Sequence, residues 1–232
     1  MITLRNNLIR TFTISAILSF LAIAAGLALA GDEQVPVPTP AGAGSKAPNA
    51  DGFIQRWVIL EPIAANGDTQ NVVQQIVKTE HFPGELTVIP RDGDKVTLNN
   101  DSQLTWHATD TSLYNLNLYY FAAAHGTNCN NALFWAVTII NCPQEMRDVR
   151  LAIGSNSASV WWVNGEEVIG IYGNRCTVID DGVSKRLTLR RGANVIRGGI
   201  VNASGAADFC ARFLDSEDKP LQGFTVNLNA AR

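Results

Sequence analysis

Charge is sparse in this sequence. Asp, Glu, Lys and Arg make up 17% of the 232 residues and sum to a net charge of −3. No basic stripe is present to collect phosphates, which argues against a nucleic-acid partner. No segment pairs a strongly basic face with a wide apolar one, so a membrane-surface helix is not expected. Histidine is scarcer still, with only His81, His107 and His125. A Gly-x-Ser-x-Gly nucleophile elbow is absent, because Gly154-Ser155-Asn156 lacks its frame. His107 and Asp110 are close in sequence, but on a strand or loop that spacing means little. Catalytic triads assemble in space rather than in sequence, so a hydrolase, esterase or glycosidase, stays as a third reading.

The four cysteines, Cys129, Cys142, Cys176 and Cys210, contain no Cys-x-x-Cys spacing and no interleaved histidine. A zinc site is therefore not expected. The clustered His ligands and Glu of a cupin are not visible along the chain either. In an oxidising compartment an even count suggests disulfides, with three pairings open. Cys129–Cys142, closing a short loop, and Cys176–Cys210, tying two distant strands, are favoured. Each bridge would contribute about 2–4 kcal/mol by restricting the unfolded chain. Paired carboxylates occur at Glu166-Glu167 and Asp180-Asp181. Neighbours on a strand point to opposite faces, so neither pair converges as a glycosidase requires. Asp180 and Asp181 are candidates for a structural Ca²⁺, although the alternating spacing of a dedicated calcium loop is missing. A solvated turn is the competing reading there, and no other cofactor is expected.

Long apolar runs are confined to the beginning. Arg5 and Arg10 precede FTISAILSFLAIAAGLALA, which ends in Ala28-Leu29-Ala30 before a polar break. A basic start, apolar middle and small-residue site predict a secretory signal peptide over residues 1–30, cleaved after Ala30. The run is also long enough for an uncleaved membrane anchor. A secreted, periplasmic or cell-surface location follows from this expectation. Residues 31–50, rich in Pro, Gly and Ala, read as a flexible linker. The folded domain is expected over 51–228, ample for one core.

What is present in abundance is short strands. Val149, Leu151 and Ile153 alternate with other residues; so do Leu187 and Leu189, then Phe209, Ala211 and Phe213. A last strand is expected within 221–228. Breakers such as Gly154, Asn164-Gly165, Asp181-Gly182, Arg191-Gly192, Gly205 and Lys219-Pro220 separate them. This pattern predicts an antiparallel sandwich or barrel. Earlier, 53–60 is strand-like, and 132–141, β-branched and aromatic, reads as a central strand buried on both faces. In 70–78, Val72, Val73, Ile76 and Val77 share one helical face. Leu113, Leu116 and Tyr120 allow a second short helix.

One segment, Val160-Trp-Trp-Val-Asn-Gly-Glu-Glu-Val168, predicts a hairpin of strands 159–163 and 167–171 about an Asn164-Gly165 turn. Trp161 and Trp162 then face opposite sides of the sheet. One is expected in the core, the other half exposed or covered by a neighbouring loop. With Arg191-Gly192-Ala193-Asn194, the closing segment Phe209 to Pro220, and the opening Asp51-Gly52-Phe53 and Trp57, the chain resembles a galactose-binding-like jelly roll. Such modules are appended to bacterial glycoside hydrolases. The resemblance covers nearly all of 51–221. It departs where the family places acidic residues before the hairpin, since Asn156 and Ser157 stand there. A protective-antigen-type module, whose hairpin is similar, is disfavoured for the same reason. The aliphatic strand after Asn194 is also interrupted here, by Arg197-Gly198-Gly199, which predicts a bulge or the close approach of another segment.

The expected architecture is all-β: an antiparallel β-sandwich (jelly roll) with one or two short helices. Sugars stack on exposed aromatic faces while polar neighbours hold their hydroxyls. Trp162 with Asn164, Tyr172, Arg175 and Asp208 is the candidate set, with Trp57 and Trp135 assigned to the core. The expected function is non-catalytic binding of carbohydrate. The alternative is a structural or protein-interaction module with a surface protein, or a second copy, as partner.

Overall fold

The computed structural model describes residues 37–229, so the expected signal peptide and residues 31–36 lie outside the described residues. Two sheets carry the fold, and every strand pairing among the described residues is antiparallel. The larger runs, neighbour by neighbour, through β1 (Thr39–Pro40), β5 (Gln103–Asp110), β2 (Arg56–Leu60) and β7 (Ala132–Cys142). It continues through β13 (Gly192–Asn202), β9 (Ala158–Val163) and β10 (Glu166–Ile171). β3 (Ile63–Ala64) and β15 (Thr225–Val226) also pair with β7, and β4 (Lys95–Thr97) with β5. The smaller sheet runs β11 (Gly182–Val183), β8 (Met146–Ser155), β14 (Asp208–Leu214), β6 (Leu116–Asn117), with β12 (Leu187–Leu189) on β8. The molecule is an all-β sandwich with two short helices, as the alternation predicts.

The helices follow from local chemistry. α1 (Gln70–Lys78) buries Val73 and Val77, while Val72 of the expected apolar face stays exposed. α2 (Leu118–Ala124) starts one turn later than the leucine spacing suggests. Its cap is Asn117, whose side-chain oxygen accepts from the Tyr120 N–H at 3.0 Å. Leu116, N-terminal to that cap, is drawn into β6 instead.

The larger sheet is buried on both faces. One packs on the smaller sheet through Trp57, Phe134, Trp161, Phe209 and Phe213. The other is covered by α1 and the segment 82–98, and it holds Trp106, Trp135 and Trp162. This two-sided burial is why β7 reads as a nearly continuous apolar run, broken by Thr138 and the exposed Asn141. At Gly198-Gly199 the register of β13 against β7 runs unbroken from Gly192 opposite Cys142 to Asn202 opposite Ala132. No bulge forms, and the glycines answer to the second expectation, a close approach.

Two expectations are corrected. The described part of the predicted linker does not hang free: Thr39 and Pro40 pair with β5, and the Ala41 N–H donates to the Ala108 carbonyl at 2.9 Å. Lys46 bridges to Val226 and sits 3.6 Å from the Asp110 carboxylate. Proline-rich chain suits such an edge, where a missing donor costs little. The cysteines are also free thiols. Cys142 closes β7, whereas the Cys129 carbonyl, beyond the other end, accepts from the Asn202 amide at 2.8 Å. A strand of that length holds its ends roughly 30 Å apart, far beyond the ~7 Å Cα separation a disulfide tolerates. Cys210 is buried within β14, and Cys176 is exposed on the loop that precedes β11.

Candidate functional site

The hairpin forms as its turn chemistry demands. Asn164 and Gly165 both take positive φ, 53° and 85°, the conformation an Asn-Gly pair accepts at least cost. The two indoles do face opposite ways. Trp161, 0% exposed, meets Trp57 and Phe209 edge-on at ring separations of 5.8 and 5.4 Å, and its indole N–H donates to Ser159 Oγ at 2.9 Å. Trp162, 7% exposed, packs against Trp135 at 5.7 Å beneath the loop that carries Glu85 and Val88. Neither ring offers an open face to a sugar, which corrects the assignment of Trp162 as a stacking platform.

The roof over Trp162 is held by buried polar groups. Glu85 accepts from the Trp135 indole N–H at 2.5 Å and lies 3.0 Å from His81 Nδ1. Arg197, on β13, donates to the carbonyls of Glu85, at 2.6 Å, and Val88. Burial pulls its pKa down to about 10, with the Glu85 charge acting the other way. Arg197 was visible in the sequence only as an oddity in an aliphatic strand.

The five predicted site residues do not converge. Trp162 and Asn164 lie at the turn, while Ile171 pairs with Ser159 at the far end of the hairpin. Tyr172, Arg175 and Asp208 lie towards that far end, each with internal partners. Tyr172 Oη accepts from the Gln74 amide at 2.7 Å. Arg175 donates to the Tyr172 carbonyl at 3.2 Å and to Asp181. Asp208 accepts from the Asn115 amide at 2.6 Å and from the Thr177 hydroxyl. Asn164 is structural as well: its Oδ1 accepts from the Val195 N–H at 3.0 Å, and its Nδ2 donates to Asn194 Oδ1 at 2.9 Å. Asp180 is gripped by both Nε and Nη2 of Arg212. Asp180 and Asp181 therefore neutralise two different arginines instead of forming the Ca²⁺ pair considered from sequence.

Two shallow clefts flank the turn instead. The larger, about 620 Å³, lies where β10 passes the chain leading into β12. Its rim carries Asn164, Glu166, Glu167, Lys185, Arg186 and Thr188 over apolar Val163, Val168 and Leu187. The smaller, about 240 Å³, is bordered by Leu86, the Trp162 edge, Arg190 and Arg197. Lys185, Arg186 and Thr188 were missed because only sheet packing brings them to the hairpin.

A second constellation corrects the expectation that histidine and glutamate do not cluster. Glu61, following β2, His107 of β5 and His125, the cap residue of α2, bring their ligand atoms within 4.8 Å of one another. Burial, then the charge of His107, hold His125 below the usual histidine value, with Glu61 pulling it up. Residues so far apart in sequence carry no spacing signal.

No protein-family model matches the sequence, and no curated protein matches it. Among solved structures, a PA14 sugar-binding domain from an RTX adhesin is similar over 74% of this chain and 96% of that one, at 13% identity and a TM-score of 0.42. A β-glucosidase from Kluyveromyces marxianus is similar over 53% of this chain, at 21% identity and a TM-score of 0.39. This chain spans 16% of that enzyme's length.

Proposed function

We propose that this chain is an exported, non-catalytic module that binds carbohydrate in the cleft between β10 and the approach to β12. The observation that carries the reading is the make-up of that cleft. The Glu166 carboxylate, the Lys185 ammonium and the Thr188 hydroxyl stand on its rim above an aliphatic floor, beside the Arg186 guanidinium, which is anchored on the Asp148 and Asp215 carbonyls. Sugars present the same mixture, hydroxyls that exchange hydrogen bonds with charged and amide groups and C–H faces that seek apolar surface. The cleft is open and shallow, suited to a few rings of a longer glycan. A surface-protein contact is the second reading, favoured by Val178 and Ile179, adjacent and exposed beside the exposed Cys176.

A glycan array probed with the whole chain tests the assignment, followed by calorimetry on the best ligand. The double variant Glu166→Ala/Lys185→Ala, both positions exposed, is expected to lower affinity at least about tenfold, or 1.4 kcal/mol. The variant Val178→Ser/Ile179→Ser is expected to leave it unchanged. Silence across the array, or binding indifferent to the cleft variant, would overturn the assignment.

A further inference from the structure

Of the three histidines, two meet in space. The His107 and His125 rings stack at 3.7 Å with 24° between their planes, and Phe121, itself buried, walls the pair at 5.9 and 4.7 Å. His107 Nε2 lies 3.1 Å from Glu61 Oε1, and the other Glu61 oxygen accepts from the Thr105 N–H at 3.0 Å. The Glu61 backbone N–H in turn donates to the Thr105 carbonyl at 3.1 Å. Glu61 is thus positioned by two bonds to one residue of β5 before any ligand arrives. Among the described residues no other group of three His, Cys, Asp or Glu side chains brings its ligand atoms this close.

We propose that Glu61, His107 and His125 form a binding site for a divalent transition cation of the zinc class. The donor set decides the class. Two imidazole nitrogens and one carboxylate oxygen suit Zn²⁺, Ni²⁺ or Cu²⁺, whereas Ca²⁺ and Mg²⁺ require oxygen shells. Geometry agrees in its tightest element. Bonds of about 2.0–2.1 Å to a tetrahedral ion put neighbouring donors about 3.3 Å apart, and the Glu61–His107 pair already stands at 3.1 Å. An ion replacing the hydrogen bond between them needs little movement of either. His125 makes the larger adjustment, its ring turning out of the stack. As an exposed residue at the end of α2 it is free to do so.

Three protein donors leave a fourth position, and the exposure of His125 turns it to solvent. A water or an oxygen of a bound molecule completes the shell, the composition of an open site and not of a sealed structural one. The site is independent of the carbohydrate cleft, since β2, β7 and β13 separate β5 from β9, about 19 Å at the usual strand spacing.

Calorimetry with Zn²⁺ alone, on the whole chain without a histidine tag, tests the site, with Co²⁺ absorption reporting the coordination. One equivalent is expected to bind, with Co²⁺ giving the intense visible bands of a four-coordinate ion. His125→Gln, at an exposed position, and His107→Gln are each expected to weaken binding at least about tenfold. His81→Gln is expected to leave it unaltered. Absence of binding by the parent chain overturns the proposal. So does affinity unchanged in His125→Gln, or affinity abolished by Cys176→Ser.

Discussion

Gly198 lies directly across the sheet from Trp161, and the indole folds over it so closely that a β-carbon there would stand 2.6 Å from the ring. Gly199 repeats the arrangement on the other face, where a β-carbon would meet the Trp135 ring at 2.9 Å. Consecutive residues face opposite ways, so one Gly-Gly pair seats one tryptophan in each of the two cores.

Gly198→Ala forces Trp161 off its seat between Trp57 and Phe209. Overpacking of this kind costs about 2–3 kcal/mol, a fall in Tm of about 5–10 °C for a domain of this size. Thermal unfolding of Gly198→Ala measures it. A double-mutant cycle with Trp161→Phe is expected to show a smaller penalty for the alanine in the phenylalanine background, because the clashing atoms belong to the distal indole ring. Equal penalties in both backgrounds would place the cost elsewhere.

Such features sort what the sequence could reveal. The hairpin was legible because its turn, its alternation and its opposed indoles are all local. β7 was legible because burial on both faces leaves no polar period. The cover over Trp162 was not, since residues 82–98 have no period and are pinned by Arg197, remote in sequence. The candidate constellations were hidden for the same reason: Lys185 and Glu166 come to line one cleft, and His125 stacks on His107, only through pairing and packing. The Cys129–Cys142 pairing failed because loop length in sequence says nothing about an intervening strand that keeps the two cysteines at its opposite ends.

Arg197→Met tests the roof directly. The substitution keeps the apolar stem but leaves the carbonyls of Glu85 and Val88 without their buried donor and removes the guanidinium lying 5.9 Å over Trp135. Stranding buried acceptors costs about 1–3 kcal/mol each, so a loss of about 3 kcal/mol is expected in denaturant unfolding. Tryptophan emission should shift to the red as Trp162 gains access to water, and amides of the Glu85–Val88 loop should exchange faster. Unchanged emission and exchange would show that the loop is held by something other than Arg197.

Thiol chemistry separates the four cysteines. Burial pushes Cys210 up to about 12, and it raises Cys129 and Cys142 as well; all three are buried, while Cys176 is exposed. Alkylation of the native protein followed by mass spectrometry is expected to mark Cys176 alone, with the others labelled only in denaturant. A native protein carrying no reactive thiol, and a mass two hydrogens lighter, would instead show Cys176 joined to Cys210.

Acid should release the N-terminal edge before the sandwich. Burial by itself would raise the Asp110 carboxyl. The hydrogen bonds from Arg56 and the Gly42 N–H, with the charges of Lys46 and Arg56, outweigh it and hold the group below its ordinary 3.8. A carboxyl depressed on folding contributes stability that is complete above its unfolded value and is lost as pH falls through the folded one. Arg56 also donates to the Gly44 carbonyl at 2.7 Å, so protonating Asp110 loosens the clamp on residues 39–46 as a unit. Hydrogen exchange of the Ala41 and Gly42 amides, corrected for intrinsic rates, is expected to be protected at about pH 5 and markedly less so at about pH 2.5. Asp110→Asn is expected to show the looser state already at neutral pH and to respond little to acid. Protection of both amides unaltered across that range would mean that backbone pairing with β5, and not the carboxylate, secures this edge.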